Sequence, residues 1–327
     1  MIPDACHSGK KPLSRKQSMS FFSRPFWISS LALLPLFSAL AIPLSADEAT
    51  SRATIWKLSD ENSTVYLAGS VHLLREKDLP IPAAYDQVYE KSEELVFEID
   101  MKEMTDPTLA LKMKELGTLP EGKTLSDILP ADVVAKLTGY LESTGLPAAL
   151  FERMTPGMVF LTISSIQAIK TGANPNLGLE MTYYQKSTND NKPTRGLETM
   201  EYQISRFNKI EKDRLGELIS HSIDNAEETP KMLDKIINAW KSGNAEQLEA
   251  VIVKEMEEQP DVKEVVLTQR NKNWIPEIEK ALAGDKTVLF LVGAAHLVGT
   301  DSVIDLLEKK GHKPEQIGSK VPALIKQ

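Results

Sequence analysis

The sequence predicts an α/β (α+β) fold, with a central mixed, largely parallel sheet built from both chain ends and a large helical insertion at about 105–283. Three observations carry this. Strand-like apolar runs cluster at 53–100 and recur at 287–292, and the stretch between them has mostly helical patterning. The order strand, helix, strand over 64–100 needs a crossover connection, which makes its two strands parallel.

Taken in order, the alternating runs 53–58 and 64–68 flank a polar turn, Ser59-Asp60-Glu61-Asn62-Ser63, and read as a hairpin. The second run leads directly into Gly69-Ser70-Val71-His72. After Pro80 and Pro82, residues 83–92 read as a helix, and 94–100 (ELVFEID) as a strand entering a polar end. Pro107 starts one helix, Ser126 and Pro130 punctuate the next, and Pro147 and Pro156 delimit shorter ones. Residues 192–196 form a short strand candidate after the polar turn 187–192. From 199 to 283 the pattern is helical, with breaks at Gly243-Asn244 and Gln259-Pro260. The wholly apolar 287–292 (TVLFLV) predicts a buried central strand and runs into Gly293-Ala294-Ala295-His296. A helix at 301–310, stopped by Gly311, and a last strand near 314–318 complete the chain. One plan occurs twice: Thr-Val, an apolar strand, then Gly-x-x-His-Leu, the two strands differing in length by one residue.

Residues 1–46 read as a secretory signal peptide. Lys10, Lys11, Arg15, Lys16 and Arg24 precede the uncharged 25–46, which ends in Ser45-Ala46 before Asp47-Glu48. Cleavage is expected after Ala46, with Met19 as an alternative start. A retained N-terminal anchor is the other reading, because the run is as long as a bilayer needs; Pro35 and Pro43 weigh against a spanning helix. On the first reading, 47–327 is one exported domain, periplasmic or secreted. The whole chain has 38 Lys/Arg and 46 Asp/Glu; without the leader's five basic residues and one Asp it has 33 and 45, a net charge of −12. That balance argues against nucleic acid as a partner, and leaves the membrane as one only through an uncleaved leader. The sole cysteine, Cys6, lies in the leader, so the remaining chain has neither disulfide nor thiolate ligand.

Four histidines remain beyond the leader: His72, His221, His296 and His312. His72 and His296 follow apolar strands at the same offset from a glycine, and in open α/β sheets sites form beyond the carboxyl ends of strands. If the two strands are neighbours, both imidazoles face one point; singly, each reads as a capping or hydrogen-bonded loop histidine. Two imidazoles call for a carboxylate as third ligand, and Glu98, near the end of the strand at 95–99, is the best placed. A two-His, one-carboxylate set leaves open positions and suits metal-assisted hydrolysis. Glu98 also reads as a general base or a strand-end cap, and Asp100 competes with it. Glu180 and Glu198 each close a Gly-Leu-Glu triplet, Glu198 at the end of the 192–196 strand. Arg270-Asn271-Lys272-Asn273-Trp274 opens a helix; such a start can stabilise an oxyanion, or serve as a surface cap with the Trp docked in the core. His221 and His312 read as solvent-facing or structural, and the acidic run 255–261 as a solvated face.

The ordered motifs TVYLAGSVHLL, LVFEID, GLETMEYQ, RNKNW and LVGAAHL resemble the TraB/GumN family with its Tiki metalloprotease relatives, over roughly 55–310. The resemblance implies a metal-dependent site of His72, His296 and Glu98, and raises Glu198, Arg270 and Asn271 to site-lining residues, with Glu180 a weaker candidate. The expected function is therefore an exported divalent-metal-dependent hydrolase (Mn, Co or Zn), a peptidase by resemblance, acting on a peptide or small molecule. In it Glu98 serves as ligand or base, and Arg270 and Asn271 steady the transition state. A non-catalytic protein that sequesters a peptide or small ligand in the same cleft is the alternative, and an accessory envelope protein with merely buried histidines is the third.

Overall fold

The computed structural model describes residues 53–318, so the leader expected at 1–46 lies outside the described residues. Six strands form one mixed sheet: β1 (Ile55–Ser59), β2 (Thr64–Ser70), β3 (Glu94–Ile99), β4 (Thr194–Glu198), β5 (Thr287–Gly293) and β6 (Glu315–Gln316), in the order β4-β3-β5-β2-β1-β6. β4, β3, β5 and β2 are mutually parallel, while β1 and β6 add antiparallel strands at one edge. The expected mixed, largely parallel sheet from both chain ends is borne out. β5 sits between β3 and β2, so the first strand–helix–strand unit is split by a strand from the far end of the chain. That insertion requires β5 to be apolar on both faces, and Val288 through Val292 are all buried.

Helix α1 (Ala83–Lys91) makes the crossover from β2 to β3. The insertion then contributes α2 (Leu109–Gly117), α3 (Ala131–Ser143), α4 (Pro156–Lys170) and α5 (Leu179–Asn189) before β4. After β4 come α6 (Met200–Phe207), α7 (Lys212–Asp224), α8 (Thr229–Ser242), the short α9 (Ala245–Leu248), α10 (Lys254–Glu257) and α11 (Pro260–Lys263), and α12 (Gln269–Leu282). α13 (Val303–Lys309) follows β5. Pro156 does not bound a short helix but occupies the first turn of a 15-residue one, where its missing N–H costs nothing and Thr155 Oγ1 accepts from Met158 N. α8 ends on Gly243 in the left-handed conformation, as the sequence break there required.

Two main apolar cores result. One joins the strands to Tyr85 and Tyr89 of α1, Tyr183 of α5, Trp240 of α8 and Trp274 of α12; the other lies within the insertion, among Leu137, Leu141, Val159, Ile163 and Ile219 of α3, α4 and α7. Among the described residues, no helix is long and apolar enough to cross a membrane.

Candidate functional site

The four parallel strands end at one rim because their register is aligned there. Ser70 pairs with Gly293 between β2 and β5, Phe97 with Leu291 between β3 and β5, and Ile99 with Glu198 between β3 and β4. Residues far apart in sequence thus meet: His72 just past β2, Glu98 on β3, Glu198 closing β4 and His296 just past β5. The pairing also exposes a one-residue offset between the two Gly-x-x-His segments, since Gly69 faces Val292 and not Gly293. The two histidines therefore do not occupy equivalent positions. A single 3-10 turn, Ala294–His296, folds His296 inward, where its ring lies 4.4 Å from that of Trp274 and the side chain is 4% exposed. The His72 side chain remains 62% exposed at the mouth.

The buried half of the site is organised by Arg270. Its guanidinium reaches Glu98 Oε2 at 2.6 Å and Glu198 Oε2 at 2.9 Å, and its Nη1 lies 3.2 Å from His296 Nε2. Gln203 Nε2 donates to the same two carboxylates, at 3.2 and 3.3 Å. Glu98 Oε1 accepts from Gly293 N at 2.6 Å. Burial pushes the Glu98 carboxyl up, but Arg270, the two imidazoles and the Gly293 N–H together outweigh it and hold the group well below the usual carboxylate range. Burial pushes Glu198 up and there prevails, even with Arg270 opposing it; its Oε1 is buried without a hydrogen-bond partner among the described residues. Two carboxyls on one guanidinium are thus driven apart in acidity. Burial lowers the pKa of His296 to about 3, with Arg270 reinforcing and Glu98 opposing the shift. The ring is neutral, its Nδ1 2.6 Å from Asn271 Oδ1. Asn271 Nδ2 donates to Asp301 O at 2.8 Å, which assigns the amide and puts the imidazole proton on Nδ1. The Nε2 lone pair then faces Arg270 Nη1.

The exposed half is built on α5. A Cβ on Gly178 would fall 2.1 Å from the His72 carbonyl oxygen, so only glycine lets the start of α5 come this close to the His72 backbone. Two residues on, Glu180 Oε1 sits 2.7 Å from His72 Nδ1 and also accepts from Ser70 Oγ. The Glu180 carboxylate raises the His72 pKa to about 9. Beneath the first Gly-x-x-His segment, Trp240 Nε1 and Tyr85 OH both donate to Gly69 O, at 2.8 and 2.5 Å.

Gly293 marks where the two halves meet. A Cβ placed there would lie 3.0 Å from Glu98 Oε1, 3.4 Å from His72 Nε2 and 3.6 Å from His296 Cδ2. The donor types of a divalent-ion site therefore surround a space that only glycine leaves open. Among the described residues no three His, Cys, Asp or Glu side chains are gathered as a ready ligand cage, and Arg270 lies against Glu98 Oε2 and His296 Nε2. The donor chemistry fits an ion; the arrangement shown is one in which the guanidinium supplies the balancing positive charge.

The structure brings together His72, Glu98, Glu198, Arg270, Asn271 and His296. Asp100 does not join them; its Oδ1 accepts from Lys102 N in the turn after β3. One local expectation is corrected. Arg270 and Asn271 do not stand at an open helix start, because α12 continues without a break from α11 through the π-helical turn Glu264–Thr268. Arg270 Nη1 donates to Val266 O inside that turn, so its own fixed charge and not a helix end faces the site. Both residues are buried, which rules out the surface-cap reading. Gln203, Ser70, Tyr85 and Trp240 also brace the site, although their residue types alone do not mark them as functional. Gln203 closes the GLETMEYQ motif, and its spacing of five from Glu198 across a strand-to-helix turn was the available signal. His221 is exposed on α7, whereas His312 is half-buried and meets Glu279 Oε1 at 3.2 Å, a structural contact away from the site.

An α/β sheet with two Gly-x-x-His strand ends closing on a buried Glu–Arg–Glu network defines the class of protein. The chain belongs to the TraB/PrgY/gumN family, whose profile matches residues 54–316. It is 24% identical to the metalloprotease TIKI1 of Danio rerio, over 76% of this chain and 60% of that protein. It is 20% identical to the uncharacterized protein YbaP of Escherichia coli (strain K12), over 75% of this chain and 88% of that one. To the metalloprotease TIKI2 of Xenopus tropicalis it is 23% identical, over 76% and 57% respectively. The chain thus spans about 60% of the length of the TIKI relative first named.

Proposed function

We propose that this protein is an exported, divalent-metal-dependent hydrolase acting on a peptide or small molecule, with peptide hydrolysis favoured by its kinship with metalloproteases. The observation that carries the reading is the convergence of Glu98 Oε1, His72 Nε2 and the His296 ring on the space above Gly293. His72, His296 and Glu98 would hold the ion; manganese, cobalt and zinc all accept this donor set. When bound, the ion supplies Lewis-acid polarisation and a more acidic water.

The remaining roles follow from the chain's own groups. Glu180 holds the Nδ1 edge of His72 and so aims Nε2 inward, while Asn271 does the same for His296 through its Nδ1 proton. Asn271 is used at both ends of its amide and is a positioning residue. Arg270, fixed by Glu98 and Glu198, is the cation available to negative charge developing at the site. Glu98 is ionised and serves as ligand or proton acceptor. Because His72 carries its proton well above neutrality, loading the ion releases that proton.

The test is metal content and metal-induced thermal stabilisation of the full chain as exported, with His72→Ala and His296→Ala beside it. Both variants are expected to lose the bound ion; retention of metal by both ends the proposal. The second reading, a non-catalytic ligand-sequestering protein, is favoured by the Arg270 contacts, which already neutralise the buried carboxylates. Peptide-library cleavage with added Mn²⁺, Co²⁺ or Zn²⁺ separates the two.

A further inference from the structure

Directly beside His72 and Glu98 lies a cavity of about 260 Å³ with an apolar lining. β3 contributes Phe97 and Ile99, the turn after it Met101 and Met104, and the two helices that supply Glu180 and Gln203 contribute Met181 and Met200. Of the nine methionines beyond the leader, four face this one space. Their burial is graded: Phe97 is fully buried and Met101 5% exposed at the bottom, Met181 and Met200 are half-buried on the sides, and Met104 is 43% exposed at the rim. Unbranched thioethers make a wall that adapts to different apolar shapes, which suits a binding surface better than a packed core.

From this we infer that the cavity is the subsite for one large apolar side chain of the substrate, such as Leu, Met or Phe, at a position next to the bond that is cut. The inference rests on the hydrolase reading for its substrate and on the cavity alone for its chemistry. Its volume takes a side chain with its backbone but not a whole drug-sized ligand. The polar wall belongs to the reactive centre itself, so a side chain seated here brings its neighbouring carbonyl to His72 and Glu98. Charged side chains are excluded on both counts. An acidic one would approach Glu98 and Glu180, and a basic one finds both carboxylates already paired, with Arg270 and His72.

Two measurements test it, one independent of turnover. With methionine methyl groups labelled with ¹³C and assigned by Met→Leu variants, acetyl-Ala-Leu-Ala-amide is expected to shift the Met104, Met181 and Met200 resonances together. Acetyl-Ala-Asp-Ala-amide is expected to leave them in place. No shift at millimolar Leu peptide, or equal shifts with both, overturns the subsite. In a positional peptide library with added Mn²⁺, Co²⁺ or Zn²⁺, one position is expected to favour Leu, Met or Phe over Asp or Lys by about tenfold to a hundredfold. Met104→Lys, at the exposed rim where folding is unaffected, is expected to relax the exclusion of Asp at that position and leave other positions unchanged. Cleavage without apolar preference anywhere sinks the subsite and leaves the hydrolase standing; methyl shifts with no cleavage under any ion do the reverse.

Discussion

Replacing Arg270 with Met probes the network most directly. The guanidinium is 10% exposed and contacts Glu98 at 2.6 Å, Glu198 at 2.9 Å and His296 at 3.2 Å, so its loss strips the positive charge from two buried carboxyls. Removing one partner of a buried pair costs about 3–5 kcal/mol, because a charge is left without compensation. Glu198 softens the loss because burial already pushes its carboxyl up, so it takes a proton more readily once the guanidinium is gone. Glu98 cannot do so readily near neutral pH: in the parent it is held low, and with Arg270 gone burial alone drives it upward. The sign of the pH dependence follows. In the parent a depressed Glu98 contributes stability above its unfolded value of about 4.5, lost as the pH falls toward the folded one. In Arg270→Met that contribution is absent or reversed. The deficit is therefore full at pH 7 and shrinks as the pH falls through the carboxylate range. Urea denaturation of the metal-free protein at pH 7 and pH 4.5 measures it, and Arg270→Met/Glu98→Gln is expected to recover most of the loss. The same variant removes the cation lying on two donor atoms, so stabilisation by added Mn²⁺ or Zn²⁺ is expected to grow. A loss below about 1 kcal/mol at pH 7, or a loss unchanged at pH 4.5, would refute Arg270 as the charge that balances this site.

Other outcomes are expected from neighbouring residues. Gly293 has backbone angles that alanine adopts freely (φ −52°, ψ 134°), so Gly293→Ala is expected to fold yet lose metal binding and any hydrolysis, its methyl filling the shared space; wild-type metal affinity in this variant would show that the space is not the site. The elevated His72 pKa makes its stabilising contribution complete below about 6.5 and lost as the pH rises through about 9, so Glu180→Gln is expected to flatten that slope and bring the His72 NMR titration back toward 6.5. An unchanged titration would remove Glu180 as the cause. Trp240→Phe deletes one donor to Gly69 O while Tyr85 keeps the other, with an expected loss of about 1–2 kcal/mol in urea denaturation. No loss would show that the tryptophan contact does not hold the first Gly-x-x-His segment in place.

The histidines and Glu98 were legible because apolar strands punctuated by glycine state where a strand ends, and in a parallel sheet strand ends share one rim. Glu198 followed by the same logic from the end of β4. Arg270 and Asn271 were visible as residue types and as family motifs, but their burial was not, since a helix that continues through a π turn looks in sequence like one that starts anew. Gln203 carried only its spacing from Glu198, and Trp240 carried no local signal at all. Their roles arise from which helices cover the rim, and that depends on contacts between segments more than a hundred residues apart.

By itself, the amino-acid order determined the strand set, their direction, the helical insertion and the two glycine-marked histidines, because each is written in local periodicity and in residues that tolerate no substitute conformation. Tertiary structure decided the rest. It placed β5 between β2 and β3 with Gly69 facing Val292, and the turn after β5 then made one histidine a buried neutral base while the other stayed an exposed, protonated partner of Glu180. The one-residue difference in strand length is legible in the sequence, but its consequence is not. It becomes decisive only when hydrogen-bonded strands fix which atoms lie side by side, and burial then sets the charge each ring carries.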